Sequence, residues 1–259
     1  GFSRGSCVAG PGSDARRPSA VRSDGSLKIA CRSTCADLRP ASANLTQATF
    51  RSPLMHPVHV QFLFDFGSPN TYLCHKVIPA IAARTGAVFE YVPILLGGLF
   101  KLANNRAPMV AFADIPNKLA YERLELTRFV ARHGLSKYRF NPHFPVNTLK
   151  IMRGACAAQK LGCLPAYLDV VYAAMWEDGL NMDDLPTITA TLDAGGLDSQ
   201  AILALSQDAD VKATLVANTQ RAHDQGAFGS PSFLIGRELW FGKDRLRDVE
   251  EAILAGAPR

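Results

Sequence analysis

Apolar residues first gather at 58–66, VHVQFLFDF, a β-branched and aromatic run that predicts a strand. Ser68-Pro69 follows, a serine suited to the N-cap of a helix and a proline suited to its first turn. Leu73, Val77, Ile78, Ile81 and Ala82 then fall at helical spacing, so a helix is expected to about Thr85, with Gly86 ending it. VFEYVPILL, 88–96, predicts a second buried strand, and a strand–helix–strand unit of this length implies a parallel pair with a right-handed crossover. Residues 97–116 hold Gly97, Gly98, Asn104, Asn105, Pro108 and Pro116 and read as loop. From 117 the pattern is helical, with helices expected at 117–133, 147–161, 164–178, 184–194, 198–206 and 208–226. SFLIG (232–236) and ELWFG (238–242) then flank a tight turn as an antiparallel hairpin. A last helix from Asp244 sets Leu246, Val249 and Ile253 on one face.

The order is βαβ, a helical block, then ββα. This is an α/β, thioredoxin-like fold split after its second strand by a large all-helical insertion. Residues 55–259 form one region, with a core of 58–96 plus 227–259 and an insertion of 100–226. The two halves of the core must pair across that insertion. Residues 1–54 are rich in Ser, Ala, Arg and Gly without sustained periodicity and read as a disordered extension. They have the Arg-rich, acid-poor composition of a transit peptide, but no methionine precedes Met55. The functional protein is therefore expected to start near Met55, with the extension no part of it.

Composition changes this picture little. The chain has 259 residues, 47% hydrophobic and 20% charged, enough to bury a core. Its net charge of +5 is localised: residues 1–54 carry 8 basic and 3 acidic side chains, and residues 55–259 carry 20 of each. The predicted folded region has no net pull on a phosphate backbone, so no nucleic-acid partner is expected. No apolar run approaches the roughly 18 residues of a membrane span, so no membrane partner is expected either. Cys7, Cys31 and Cys35 lie in the extension. Cys31 and Cys35 have no companion cluster, and no metal site is expected. Cys74, Cys156 and Cys163 read as buried thiols of a reducing cytosol, which makes the expected location cytoplasmic. Cys74 stands out because it lies about two helical turns past Ser68.

Three stretches carry chemistry. At Gly67-Ser68-Pro69 a strand end meets a helix N-terminus, where backbone N–H groups and the helix dipole favour an anion and would lower the pKa of a thiol. Ser68 adds an O–H donor, although by local sequence alone the plain N-cap reading is favoured. At Gly229-Ser230-Pro231-Ser232 a cis Ser230–Pro231 bond would present the Ser230 backbone to a peptide-like ligand, and a trans proline would make an ordinary loop. At Phe241-Gly242-Lys243-Asp244 a helix start suits a carboxylate and Asp244 suits an ammonium, as the two ends of an amino acid require.

FDFGSPNTYL, FPVNTLKIMRGACAAQ, AMWEDGLNM, GSPSFLIG and ELWFGKDRL, within 58–254, resemble the 2-hydroxychromene-2-carboxylate isomerase family. These are relatives of the kappa-class glutathione transferases and of the disulfide oxidoreductase DsbA. The resemblance implies glutathione as cofactor, with Ser68 on its sulfur where DsbA has a cysteine. It implies that Ser230 and cis-Pro231 pair with the cysteinyl backbone. It places Asp244, with the Lys243 and Asp244 N–H groups, at the γ-glutamyl end. Lys243 replaces the family's usual Ser, Asn or Gln and adds a cation there, and Ser230 replaces a Val. Asn105 falls where relatives have a glutathione-contacting Asn. Lys101 and Lys118 are further candidates for the glycyl carboxylate or an acidic substrate.

The implied reaction interconverts 2-hydroxychromene-2-carboxylate and trans-o-hydroxybenzylidenepyruvate, a step of naphthalene breakdown, by reversible thiolate addition. A kappa-like transferase conjugating electrophiles is the alternative. A small aromatic keto acid needs apolar walls, for which Phe66, Tyr72, Trp176 and Trp240 are candidates, and a cation, for which Arg153 and Lys101 are. Trp176 reads equally as core, and His143 as a surface loop residue. Relatives are often dimers, so a homodimer is expected. Without Cys-x-x-Cys, dithiol exchange lacks its resolving thiol.

Overall fold

The computed structural model describes residues 57–256, so the expectations for residues 1–54 lie outside the described residues. Strand β1 (His59–Phe64) leads into α1 (Pro69–Thr85) and β2 (Val88–Pro93). Eight helices follow: α2 (Leu96–Leu102), α3 (Pro108–Ala111), α4 (Pro116–Arg132), α5 (Leu149–Lys160), α6 (Leu164–Trp176), α7 (Leu185–Ala194), α8 (Ser199–Leu205) and α9 (Ala209–Asp224). The hairpin β3 (Ser232–Ile235) and β4 (Glu238–Phe241), a 3₁₀ turn (Lys243–Arg245) and α10 (Leu246–Leu254) complete it.

The sheet runs β2-β1-β3-β4. β1 pairs parallel with β2, Phe62 opposite Tyr91, and antiparallel with β3, Phe62 opposite Phe233. The split halves thus meet on the two sides of β1. As an interior strand it is buried on both faces from Phe62 onward, which is why its second half is continuously apolar. Val60, Phe62 and Phe64 face a core shared with α1, α5, α6 and α10, and Leu63 faces a second core with Val92, Ile94, Leu99 and Ala222.

The expected loop at 97–116 is in part helical. Gly97 and Gly98 are poor helix formers, but α2 packs on α9. A Cβ at Gly98 would lie 3.5 Å from the Thr219 methyl, so the helices approach closely here. Two of the first N–H groups of α2 find fixed acceptors: Leu95 N–H donates to Thr219 Oγ1 (2.9 Å) and Leu96 N–H to Asp65 Oδ2 (2.7 Å). Tertiary partners here outweigh propensity.

His75 on α1 joins three elements. Its Nε2 lies 2.9 Å from Asp169 Oδ1 on α6, its Nδ1 lies 2.9 Å from the Tyr91 hydroxyl on β2, and its ring stacks on Tyr172 at 4.7 Å. Burial lowers its pKa below the ordinary 6.5, against the pull of the Asp169 carboxylate. The unfolded chain therefore takes up this proton first as pH falls below 6.5, and stability drops until the folded value is passed. His75→Phe keeps a ring and removes the titration. Urea midpoints between about pH 5 and 7.5 should therefore show a shallower acid decline than in the wild type, and an equal decline would contradict the assignment.

Candidate functional site

The turn after β1 is built on Asp65. This carboxylate is 1% exposed and accepts from Gly67 N–H (2.8 Å) and Leu96 N–H (2.7 Å). Burial raises its pKa; the bonds from Leu96, Gly67 and Thr148 pull it down, and burial prevails. Asp65 ties the Ser68 turn to the start of α2. Its signal in the sequence is an acid at the end of an apolar strand, where a buried carboxylate needs donors close by.

Ser68 stands at the N-cap of α1, but its hydroxyl does not cap the helix. Oγ donates instead to the carbonyl of Ser230, 162 residues away, at 3.0 Å. Several N–H groups expected to face the turn are spent: Ser68 N–H on Asp65 O, and Thr71 N–H on Ser68 O. Pro69 has none, and Asn70 N–H has no acceptor among the described residues. Thr71 Oγ1 is held within the turn, 2.8 Å from Asp65 O and 2.7 Å from Ser68 O, so the Ser68 hydroxyl is the donor that reaches across to the Ser230 loop.

The Ser230–Pro231 bond is cis. Ser230 Oγ donates to Leu63 O (2.9 Å), and Gly242 N–H donates to Pro231 O (2.9 Å), so β1 and β4 both fix this loop. A Cβ at Gly229 would come within 2.7 Å of the Phe241 ring, which explains the glycine. Asn105 Nδ2 donates to Phe228 O (2.8 Å), so its amide clasps this loop from the side.

The bond from Gly242 brings the 243–245 turn beside Pro231. The Lys243 and Asp244 N–H groups have no acceptor among the described residues, and the Asp244 side chain is 63% exposed. Lys243 departs from its expected part. Its side chain is 5% exposed, with Nζ 2.5 Å from Asp244 Oδ1 and 5.2 Å from the centre of the Phe129 ring. The ammonium points under Asp244 into the α4 contact, so its charge orients Asp244 and is shielded from any ligand.

Ser68, Ser230, Pro231, Lys243 and Asp244 are thus linked into one site, with Asn105 at its margin. Lys101 and Arg153 meet elsewhere, in a cavity of about 710 Å³ between α2, α5 and α9, walled by Leu95, Leu102, Leu149 and Leu215. It starts next to the turn: Leu95 precedes the Leu96 bonded to Asp65. Leu149 follows Thr148, whose methyl lies 3.1 Å from where a Gly67 Cβ would be. Lys118 is not in this cavity; its Nζ sits 4.2 Å over the Phe112 ring and 3.9 Å from Glu122.

The aromatic walls are corrected. Phe66, Tyr72 and Trp176 are 0–1% exposed in the core, Trp176 donating Nε1–H to Phe66 O at 2.8 Å, and Trp240 packs against the same core. Aliphatic residues line the cavity instead. His143 is exposed in its loop. Cys74 is fully buried, and burial pushes its thiol well above the ordinary range; that of Cys156 is pushed up to about 11. Both thiols are held in the core, away from the Ser68 turn's surface.

Fold and site define a thioredoxin-like domain of the DsbA type with a serine at the turn where chemistry is expected. The chain matches the DSBA-like thioredoxin domain over residues 59–254. It is 30% identical over 206 residues to a 2-hydroxychromene-2-carboxylate isomerase of Pseudomonas sp. (strain C18), covering 78% of this chain and 92% of that protein. A solved 2-hydroxychromene-2-carboxylate isomerase superposes with a TM-score of 0.66 at 26% identity, covering 75% of this chain and 94% of that one. A probable DsbA oxidoreductase from Streptomyces coelicolor shares the fold, with a TM-score of 0.62 at 18% identity over 78% of this chain and 92% of that one. The chain belongs to the 2-hydroxychromene-2-carboxylate isomerase family.

Proposed function

We propose that the protein is a glutathione-dependent isomerase that interconverts 2-hydroxychromene-2-carboxylate and trans-o-hydroxybenzylidenepyruvate, or a related conjugated aromatic keto acid. Family membership supports the isomerase reading. The observation that carries glutathione is the Ser68–Ser230 bond. It joins an O–H donor and a backbone acceptor at the one turn where the DsbA fold does its chemistry. A ligand with a thiolate and a neighbouring amide N–H replaces this bond by two: the hydroxyl turns to the sulfur, and the carbonyl accepts the amide.

When bound, glutathione supplies a thiolate that adds to the conjugated double bond, permits rotation about it and leaves again, with no oxidant or reductant consumed. The chain holds and orients. Ser68 donates to the sulfur and favours its ionised form. Ser230 and Pro231 hold the peptide in register with β3. The Lys243 and Asp244 N–H groups receive the glutamyl carboxylate, and Asp244 receives its ammonium. Asn105 keeps the loop in place through Phe228. Lys101 and Arg153 meet the carboxylate of the keto acid.

The test is the absorbance of the chromene and its open-chain isomer with and without glutathione. Turnover only with glutathione, without its consumption, is the expected result. Turnover in its absence, or stoichiometric conjugation of a chlorinated nitrobenzene while the chromene is ignored, would overturn the proposal. Asp244→Ala should raise the glutathione concentration for half-maximal rate about tenfold and leave saturated turnover nearly unchanged, because it removes one exposed charged contact. Initial rates across a glutathione series separate this from the reverse pattern.

A further inference from the structure

The cavity between α2, α5 and α9 has more positive charge than one keto acid requires. Lys212, on α9, lines it with Lys101 and Arg153. No aspartate or glutamate is among the lining residues, and none of the three cations has an ion-pair partner among the described residues. Arg153 and Lys212 are half-buried. Lys76, the other half-buried lysine among the described residues, is paired with Glu177 at 2.9 Å. The placement follows from helix geometry. Arg153 stands one turn past Leu149, Lys212 one turn before Val216, and Lys101 three residues past Gly98, so each cation shares a face with an apolar or small lining residue.

We infer that this cavity selects a dianionic aromatic ligand, and that Lys212 is the specificity-determining residue for the second anionic group. The inference rests on the isomerase reading only for its substrate, which becomes an aromatic keto acid bearing a further carboxylate, phenolate or sulfonate. Three like charges around one apolar space repel one another, and an entering anion relieves that repulsion. A single carboxylate engages the Arg153 fork, with Lys101 beside it. Lys212 then has no partner unless the ligand carries a second negative group. The leucine walls supply the aromatic preference, since they remove ring surface from water without offering it a hydrogen bond.

The experiment is calorimetric titration of the full chain with 2-naphthoate and with naphthalene-2,6-dicarboxylate, without glutathione and without turnover. The wild type is expected to bind the dicarboxylate about tenfold more tightly, one charge-assisted contact at a half-exposed site. Lys212→Gln should abolish that difference and leave 2-naphthoate affinity within about twofold, while Lys212→Arg should keep the difference. Equal affinity for the two probes in the wild type overturns the inference. So does a Lys212→Gln variant that loses both probes alike, or no binding of either. Failure of glutathione-dependent isomerisation would leave these titrations unchanged, so the two readings fail separately.

Discussion

With glutathione as the proposed cofactor, Ser68→Ala should leave its bound thiol titrating near the free value and cut turnover by about 10–100-fold. The hydroxyl reaches the Ser230 carbonyl at 3.0 Å, whereas the turn's other hydroxyl, Thr71 Oγ1, is held on the Asp65 and Ser68 carbonyls. Ser68 N–H and Thr71 N–H are already bonded within the turn, so the backbone has little in reserve to replace it. A hydrogen bond to a charged group contributes about 1.5–3 kcal/mol, which sets the size of the effect. The measurement is ultraviolet absorbance of the thiolate band against pH, with glutathione and either protein. Alanine leaves the Ser230 carbonyl free to accept the ligand's amide, so binding should persist while the thiol titrates near its free value. A thiolate that titrates alike in both proteins would remove Ser68 from its role.

Asp65→Ala should lower the stability of the folded chain by about 2–5 kcal/mol. It leaves the half-buried Gly67 and Leu96 N–H groups without their acceptor, at about 1–3 kcal/mol each. Asp65→Asn should recover only part of this loss, because one end of the amide is a donor facing a donor. Urea unfolding of the three proteins checks the order, and an alanine variant as stable as the wild type would contradict it. The pH dependence carries a second sign. Burial raises the Asp65 pKa above 3.8, so the folded chain keeps this proton to higher pH than the unfolded chain. Its contribution to stability therefore declines as pH rises from about 4 through the folded value, and both variants should lose that decline. Because Asp65 also fixes the start of α2, the alanine variant should bind the dicarboxylate probe less well even where it remains folded.

Much of this protein is determined locally. The apolar run at 58–66, the Ser-Pro helix start, Gly86 and the 232–242 hairpin each follow from side-chain chemistry within a few residues. They appear in the structure within a few residues of where the sequence puts them. The three motif positions are legible for the same reason, since a helix start, a proline turn and a glycine-led turn are short-range features. The helix of Gly97 and Gly98 was not legible, because its stability comes from Asp65 and Thr219, 31 and 124 residues distant from the N–H groups they bind. Nor was the inward turn of Lys243 onto Phe129, which depends on where α4 returns. The aromatic residues near the site looked available because sequence shows type and not depth; Phe66, Tyr72 and Trp176 are spent in the core. Sequence alone therefore determined the elements and the chemical groups of the turn, which are set by neighbours in the chain. Only the tertiary structure decided which groups face one another. Ser68 meets Ser230, and Lys101, Arg153 and Lys212 line one cavity, because the sheet and the α2–α5–α9 packing bring distant segments together.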